Sequence, residues 1–161
     1  MAGGIRSIFF PVIAVSNMDT ALAYYRDLLG LRVTFNDYHE AAAMHALFGT
    51  TDPVVHSVIV SCPDGSEIEP VEFGRPRGTP ASRLPGDPGL MAVNLMVHGI
   101  EELATRLSAA GNPPQSEIVP QVLPDGGRIK VLACRAPDDV ALLLVELPPG
   151  RTSLAAPAPR P

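Results

Sequence analysis

From Ser7 to Val15 the chain is an apolar run broken only by Pro11, and this predicts a strand. Ser16 and Asn17 follow as good N-cap residues, with Asp19 in the first turn, where the helix dipole favours negative charge. Met18, Leu22, Tyr25 and Leu29 then recur at helical spacing, and Gly30 supplies the C-cap. The stretch "LRVTFNDY" predicts a second strand, and "VVHSVIVSC" and "SEIEPVEF" predict a hairpin about the turn "PDG". Ahead of that hairpin, "EAAAMHALFG" predicts a short helix ending at Gly49.

The same order returns. "LMAVNLMV" predicts a strand, while Ile100, Leu103, Leu107 and Ala110 form a helical stripe ending at Gly111. "RIKVLACR" and "VALLLVEL" predict strands paired around "APDD". "VSNMDTALAYYRDLLG" lies over "VHGIEELATRLSAAGN", and "PDGSEIEPVEF" over "PDDVALLLVEL". Val15 thus matches Val97, Glu69 matches Leu143 and Glu72 matches Glu146. The expected organisation is a first βαβββ module over 1–74, a linker over 75–89, a second module over 90–148 and a disordered tail over 149–161. A lone module would leave one sheet face exposed, so an α+β fold is expected in which two modules share a curved sheet and a concave pocket.

Composition narrows the partners. The 161 residues include 12 basic and 17 acidic side chains, a net charge of −5, which argues against nucleic acid and an anionic membrane surface. A small neutral or cationic ligand suits this charge better. Cys62 and Cys134 lie in apolar runs and are expected to be reduced thiols rather than a disulfide framework. No apolar run approaches the roughly 18 residues of a membrane span, and "MAGGIRSIFF" lacks a signal-peptide core, so a cytoplasmic location is expected.

"VSNMDTALAYYRDLLGL" resembles the opening of vicinal oxygen chelate proteins, the superfamily of glyoxalases, bleomycin-resistance proteins and extradiol dioxygenases. "PDGSEIEPVEF" resembles the fourth-strand hairpin of the same family, and the resemblance runs from about Ser7 to Leu147. It implies paired βαβββ modules around a cup-shaped site, frequently in a homodimer. In its metal-using members the ligands come from the first and fourth strands of each module. Carried onto this chain, those positions are Phe10, Glu69, Ala92 and Leu143. One carboxylate and three side chains without donor atoms do not make a divalent-ion site. An even shift, which keeps the sheet face, reaches Val12 and Asn94 and does not restore one. No cofactor is therefore expected, with a metal held at His39, His45 or His56 as the alternative.

Glu69 is the leading candidate for chemistry. By strand alternation it shares a face with Glu67 and Val71, while Glu72 and Glu146 lie on the other face. In an apolar cup near Phe10, Val12, Ala92 and Leu143, desolvation would suit it to general acid–base work beside a carbonyl. His39, His45 and Tyr38 are candidate proton donors opposite it, and Asn94, Met96 and His56 are candidate ligand contacts. Tyr24 and Tyr25 are expected to pack, His98 to be exposed, and Arg75, Arg77 and Arg83 to be solvated linker cations. Three functions fit. One is a metal-independent isomerase, lyase or cyclase for a small carbonyl compound, another a bleomycin-resistance-type binding protein, and the third a metal-dependent lyase or dioxygenase with displaced ligands.

Overall fold

A computed structural model describes residues 5, 7–39, 41–49, 52, 54–74 and 88–154. The chain divides into two compact units, Met1–Pro80 and Ala81–Pro161. Most of the 75–89 stretch, with Arg75, Arg77 and Arg83, and the tail beyond 154 lie outside the described residues. No helix among those described is long and apolar enough to cross a membrane.

The first unit contains β1 (Val12–Val15), α1 (Met18–Leu22), β2 (Arg32–His39), α2 (Ala41–Phe48), β3 (Val55–Ser61) and β4 (Glu67–Phe73). Its sheet runs β1-β4-β3-β2, with β1 parallel to β4 and the other neighbours antiparallel. Asn17 starts α1 as expected, its side-chain oxygen accepting from the Thr20 N–H at 2.8 Å. The second half of this helix departs from the α geometry its spacing predicts. Ala23–Leu28 is a π-helical turn in which Leu29 N–H reaches back to the Tyr24 carbonyl, five residues earlier. Both Tyr24 and Tyr25 are buried there, edge-to-face, with ring centroids 5.5 Å apart. Gly30 closes the helix at φ +80°, a conformation that favours glycine.

The second unit repeats the order as β5 (Val93–Val97), α3 (Ile100–Ala109), β6 (Val119–Val122), β7 (Arg128–Ala136) and β8 (Val140–Glu146), its sheet running β5-β8-β7-β6. Strand β6 carries no apolar alternation that would announce it. It is exposed throughout and contains Pro120, which an edge strand tolerates. At the β7–β8 turn Asp138 and Asp139 adopt φ of 59° and 61°, a left-handed pair where the first unit's turn has Gly65. Beyond β8, Arg151 donates to Asp125 at 2.8 Å and so ties the segment after the last strand to the β6–β7 turn.

Each sheet buries one face under its helix. Val58, Val60 and Ile68 are buried on the same side as Met18, Ala21, Leu22 and Tyr25 of the first unit. Leu132, Cys134, Leu142 and Leu144 do the same beside Ile100, Leu103 and Leu107. A fully buried Leu or Ile contributes roughly 1.5–3 kcal/mol, so these two layers carry most of each unit's stability. Burial also pushes the Cys134 thiol up from its ordinary value, in keeping with an inert core cysteine.

A carboxylate at the equivalent place in each unit fixes the helix on its sheet. Glu72 accepts from Met18 N–H at 3.1 Å. Glu146 accepts from Gly99 and Ile100 N–H at 2.5 and 3.3 Å and pairs with Lys130 at 3.1 Å. Burial works to raise the Glu146 carboxyl, but the bonds from Lys130, Gly99 and Ile100 outweigh it and hold the group below the usual range. A depressed carboxyl gives stability that is present above its unfolded-state value and lost as pH falls through its folded value. Glu146→Gln is therefore expected to cost about 1–2 kcal/mol at neutral pH, by analogy with lost helix caps. Urea unfolding checks this, and the midpoint of the variant should fall less than that of the wild type on acidification.

Candidate functional site

The sheet face of the first unit opposite α1 is built by alternation. Val55, Ser57, Ile59 and Ser61 of β3 share it with Glu67, Glu69, Val71 and Phe73 of β4, because Ser57 pairs with Val71 and Ser61 with Glu67. From β2 it receives Asp37 and His39, which pair with Ser57 and Val55. A bulge between Val33 and Phe35 adds both Thr34, which bonds Ser61, and Phe35, which pairs with Ile59. Arg32, opposite Ser61, is the cation at that end. At the other end Met44 of α2 packs with Val55, Val71 and Phe73, so this helix borders the same face.

Glu69 is the centre of this surface. The Ser57 hydroxyl donates to its Oε1 in a short hydrogen bond, and His39 Nε2 lies 3.7 Å from the same oxygen. Ser57 is 0% exposed, whereas the Glu69 side chain is 14% and that of His39 34% exposed. The small serine lies on the strand between them, which lets the two longer side chains converge above it. Glu69 Oε2 receives no hydrogen bond among the described residues, so one oxygen is held by the protein and the other is free to act. Two residues along, Ser61 donates to Glu67 at 2.8 Å and bonds Thr34 at 2.9 Å, a second serine–carboxylate couple.

The other candidates distribute as follows. Val12 is the direct neighbour of Glu69 in the β1–β4 register and is exposed, while Phe10 precedes β1, half-buried against Phe9. Tyr38 and His56 are set on the other face, that of Glu72, because they pair with each other and His56 pairs with Glu72. Their rings stack at 4.5 Å, and His56 Nε2 bonds Asn36 at 2.7 Å. Tyr38 thus does not stand opposite Glu69; the odd residue count from His39 turns it away. His45 is exposed on α2. In the second unit Asn94 and Met96 are exposed on one face of β5, Asn94 beside Leu143, and Ala92 lies just before that strand.

The donor chemistry does not fit a divalent ion at the positions the resemblance implies. In the first unit Glu69 is the sole donor, and Val12 replaces Phe10 as its neighbour. In the second unit neither Ala92 nor Leu143 carries a donor atom, and Asn94 offers one amide oxygen. Among the described residues no group of three His, Cys, Asp or Glu side chains comes together to hold a metal.

Ser57 was not among the residues that the sequence singled out, although a signal for it exists. In "VVHSVIVSC" the two serines interrupt an apolar strand four residues apart, and the "PDG" turn sets the register that faces them toward Glu67 and Glu69.

Two successive βαβββ units, each with a carboxylate beneath its helix, define a duplicated α+β protein of the glyoxalase type. The chain matches the Glyoxalase/Bleomycin resistance protein/Dioxygenase superfamily over residues 7–144 and belongs to it. Among solved structures it is similar to a glyoxalase family protein from Bacillus cereus, with a TM-score of 0.75 at 20% identity, over 90% of this chain and 96% of that one. It is also similar to a glyoxylase/bleomycin resistance protein/dioxygenase domain from Frankia sp., with a TM-score of 0.61 at 20% identity, over 92% and 96% of the two chains. A glyoxalase family protein from Enterococcus faecalis gives a TM-score of 0.60 at 19% identity, over 88% and 98%. At such identities the likeness is one of fold. No curated protein matches the chain.

Removing the buried hydroxyl should leave Glu69 without its main donor. Ser57→Ala is expected to lower stability by about 1.5–3 kcal/mol, the range for a hydrogen bond to a charged group, measured as a shift in the urea midpoint at constant slope.

Proposed function

We propose that the chain is a metal-independent acid–base catalyst for a small carbonyl compound, with Glu69 as the base and His39 as its proton-transfer partner. The observation that carries this reading is the asymmetric treatment of one carboxylate. Ser57 and His39 both address Oε1, and Oε2 receives no hydrogen bond among the described residues. A base needs a free lone pair, a fixed orientation and a neighbour that can take up or supply a proton, and these three residues provide all of them. The superfamily supplies the frame only, because the fold hosts several chemistries.

In this reading Glu69 Oε2 removes a proton from the carbon beside the carbonyl. The C–H electron pair becomes the enolate double bond, and the carbonyl π pair moves to oxygen. Return of the proton, at that carbon or another along the conjugated system, completes an isomerisation. Loss of a leaving group from the enolate would make the same step a lyase reaction. The ligand is a small molecule, the expected compartment is the cytoplasm, and a second copy of the chain is the expected partner.

A second reading rests on charge. Asp37, Glu67 and Glu69 share the open face with Arg32 as the cation at its end, an arrangement that favours a cationic ligand held without chemistry. Proton NMR in deuterium oxide separates the two. With a panel of neutral aldehydes and ketones, catalysis predicts loss of α-proton signals faster than in buffer, slowed about 10²–10⁴-fold by Glu69→Gln. Binding alone predicts line broadening of a cationic ligand that is recovered unchanged. Elemental analysis after reloading with Fe, Mn, Ni and Zn is expected to return substoichiometric metal, and a stoichiometric ion that restores activity would sink the metal-independent reading.

A further inference from the structure

The β7–β8 hairpin of the second unit carries a cation where its counterpart in the first unit carries an acid. Glu69 corresponds to Leu143, so Glu67 corresponds to Ala141, and Ser61, opposite Glu67, to Arg135, opposite Ala141. Alternation sets Arg135 on one sheet face with Ala133, Ala141 and Leu143, while Leu132, Cys134 and Leu142 turn to the buried helix side. Ala133 and Leu143 are directly opposite each other and, like Ala141, only half-buried. Asn94, the neighbour of Leu143 on β5, is exposed on the same face.

The Arg135 guanidinium is held in place. Its Nε donates to Gln115 Oε1 at 3.0 Å, with Asp139 Oδ1 at 3.4 Å, and its Nη1 donates to the Asp139 carbonyl at 2.8 Å. Gln115 is fixed in turn, because its own N–H donates to the Ala133 carbonyl at 2.8 Å. Nη2 donates to no acceptor among the described residues, and the side chain keeps 31% of its surface exposed. A guanidinium already ordered by the protein loses little freedom when an anion joins it, and its planar fork matches a carboxylate. Strand spacing puts the Leu143 position about 8 Å from that of Arg135, so a ring-sized apolar group bonded near the carboxylate reaches Leu143. We infer that this face of the second unit binds a small organic acid. The carboxylate is received at Nη2 of Arg135, and the apolar body lies over Ala133, Ala141 and Leu143. The inference stands on the second unit alone and holds whether or not Glu69 acts as a base.

Titration calorimetry of the full chain tests this with hydrocinnamate, its neutral amide hydrocinnamamide, and acetate, which has the charge without the apolar body. Hydrocinnamate is expected to bind roughly tenfold or more tightly than either of the others, the amide lacking the charge and acetate the contact with Leu143. Arg135→Gln should bring hydrocinnamate down to the affinity of the amide and leave the amide unchanged. Leu143→Glu leaves the three partners of Arg135 in place but sets a like charge on the same face, and should weaken hydrocinnamate by a similar factor. This second variant carries the test if circular dichroism shows that Arg135→Gln does not fold. No binding of hydrocinnamate, or equal affinity for acid and amide, would overturn the inference. So would hydrocinnamate binding that survives undiminished in folded Arg135→Gln or in Leu143→Glu. Loss of carbonyl turnover in Glu69→Gln is a separate readout, so the acid–base reading and this inference can fail independently.

Discussion

Two carboxylates bonded to helix N–H groups set up everything else. Glu72 and Glu146 each meet the exposed N–H groups at the start of a helix, where the helix dipole is positive. Each stands on the last strand of its unit, beside the final residue of the first strand, Val15 or Val97. The bond therefore ties the strand-to-helix crossover to the sheet at a single register. Once the helix lies over one face, alternation decides which residues of every strand are buried beneath it and which are left on the other side. A slip of one residue would bury Glu69 under α1 and bring Ile68 to the open face.

On that open face the energetics reverse. The helix side is filled mainly by Val, Ile and Leu, with Tyr24 and Tyr25 buried beside them in the first unit. The other side of the first unit places serines at two positions on the central strand β3, and each serves a carboxylate on β4. Buried hydroxyls without partners are costly, so Ser57 and Ser61 at 0% and 4% exposure are tolerated because Glu69 and Glu67 accept from them. The same bonds restrict the carboxylates. Orientation of Glu69 is thus a by-product of satisfying a buried serine, and it needs no residue outside one hairpin plus His39.

Much of this was legible in the chain. The apolar runs, the Asn17 cap, Gly30 and the two aligned hairpins announced both βαβββ units, and the match of Glu72 with Glu146 anticipated their shared position on the helix side. The edge strand β6 escaped because an exposed strand with a central proline has no period to detect. The π-helical turn escaped because Tyr24 and Tyr25 are adjacent, and helical spacing accounts for only one of them. At the site, Glu69 and His39 were named from residue type, but their meeting depends on the small residue between them on β3. Tyr38 was expected opposite Glu69 together with His39, but neighbouring positions of β2 turn to opposite faces, and His56, whose face the sequence left open, lies on that of Glu72.

The duplication itself explains how the two copies can differ in their polar groups. Both units keep the helix-side carboxylate, because losing it would loosen the crossover on which the fold depends. The open-face position is under no such constraint. Glu69 in the first unit corresponds to Leu143 in the second, and Ser57, opposite Val71, to Val131, opposite Val145. An aliphatic pair in place of a serine–carboxylate couple carries no such desolvation cost and leaves the register untouched. A duplicated frame can therefore shed polar groups from one open face at little cost, and the groups retained on the other are the ones whose expense calls for a function.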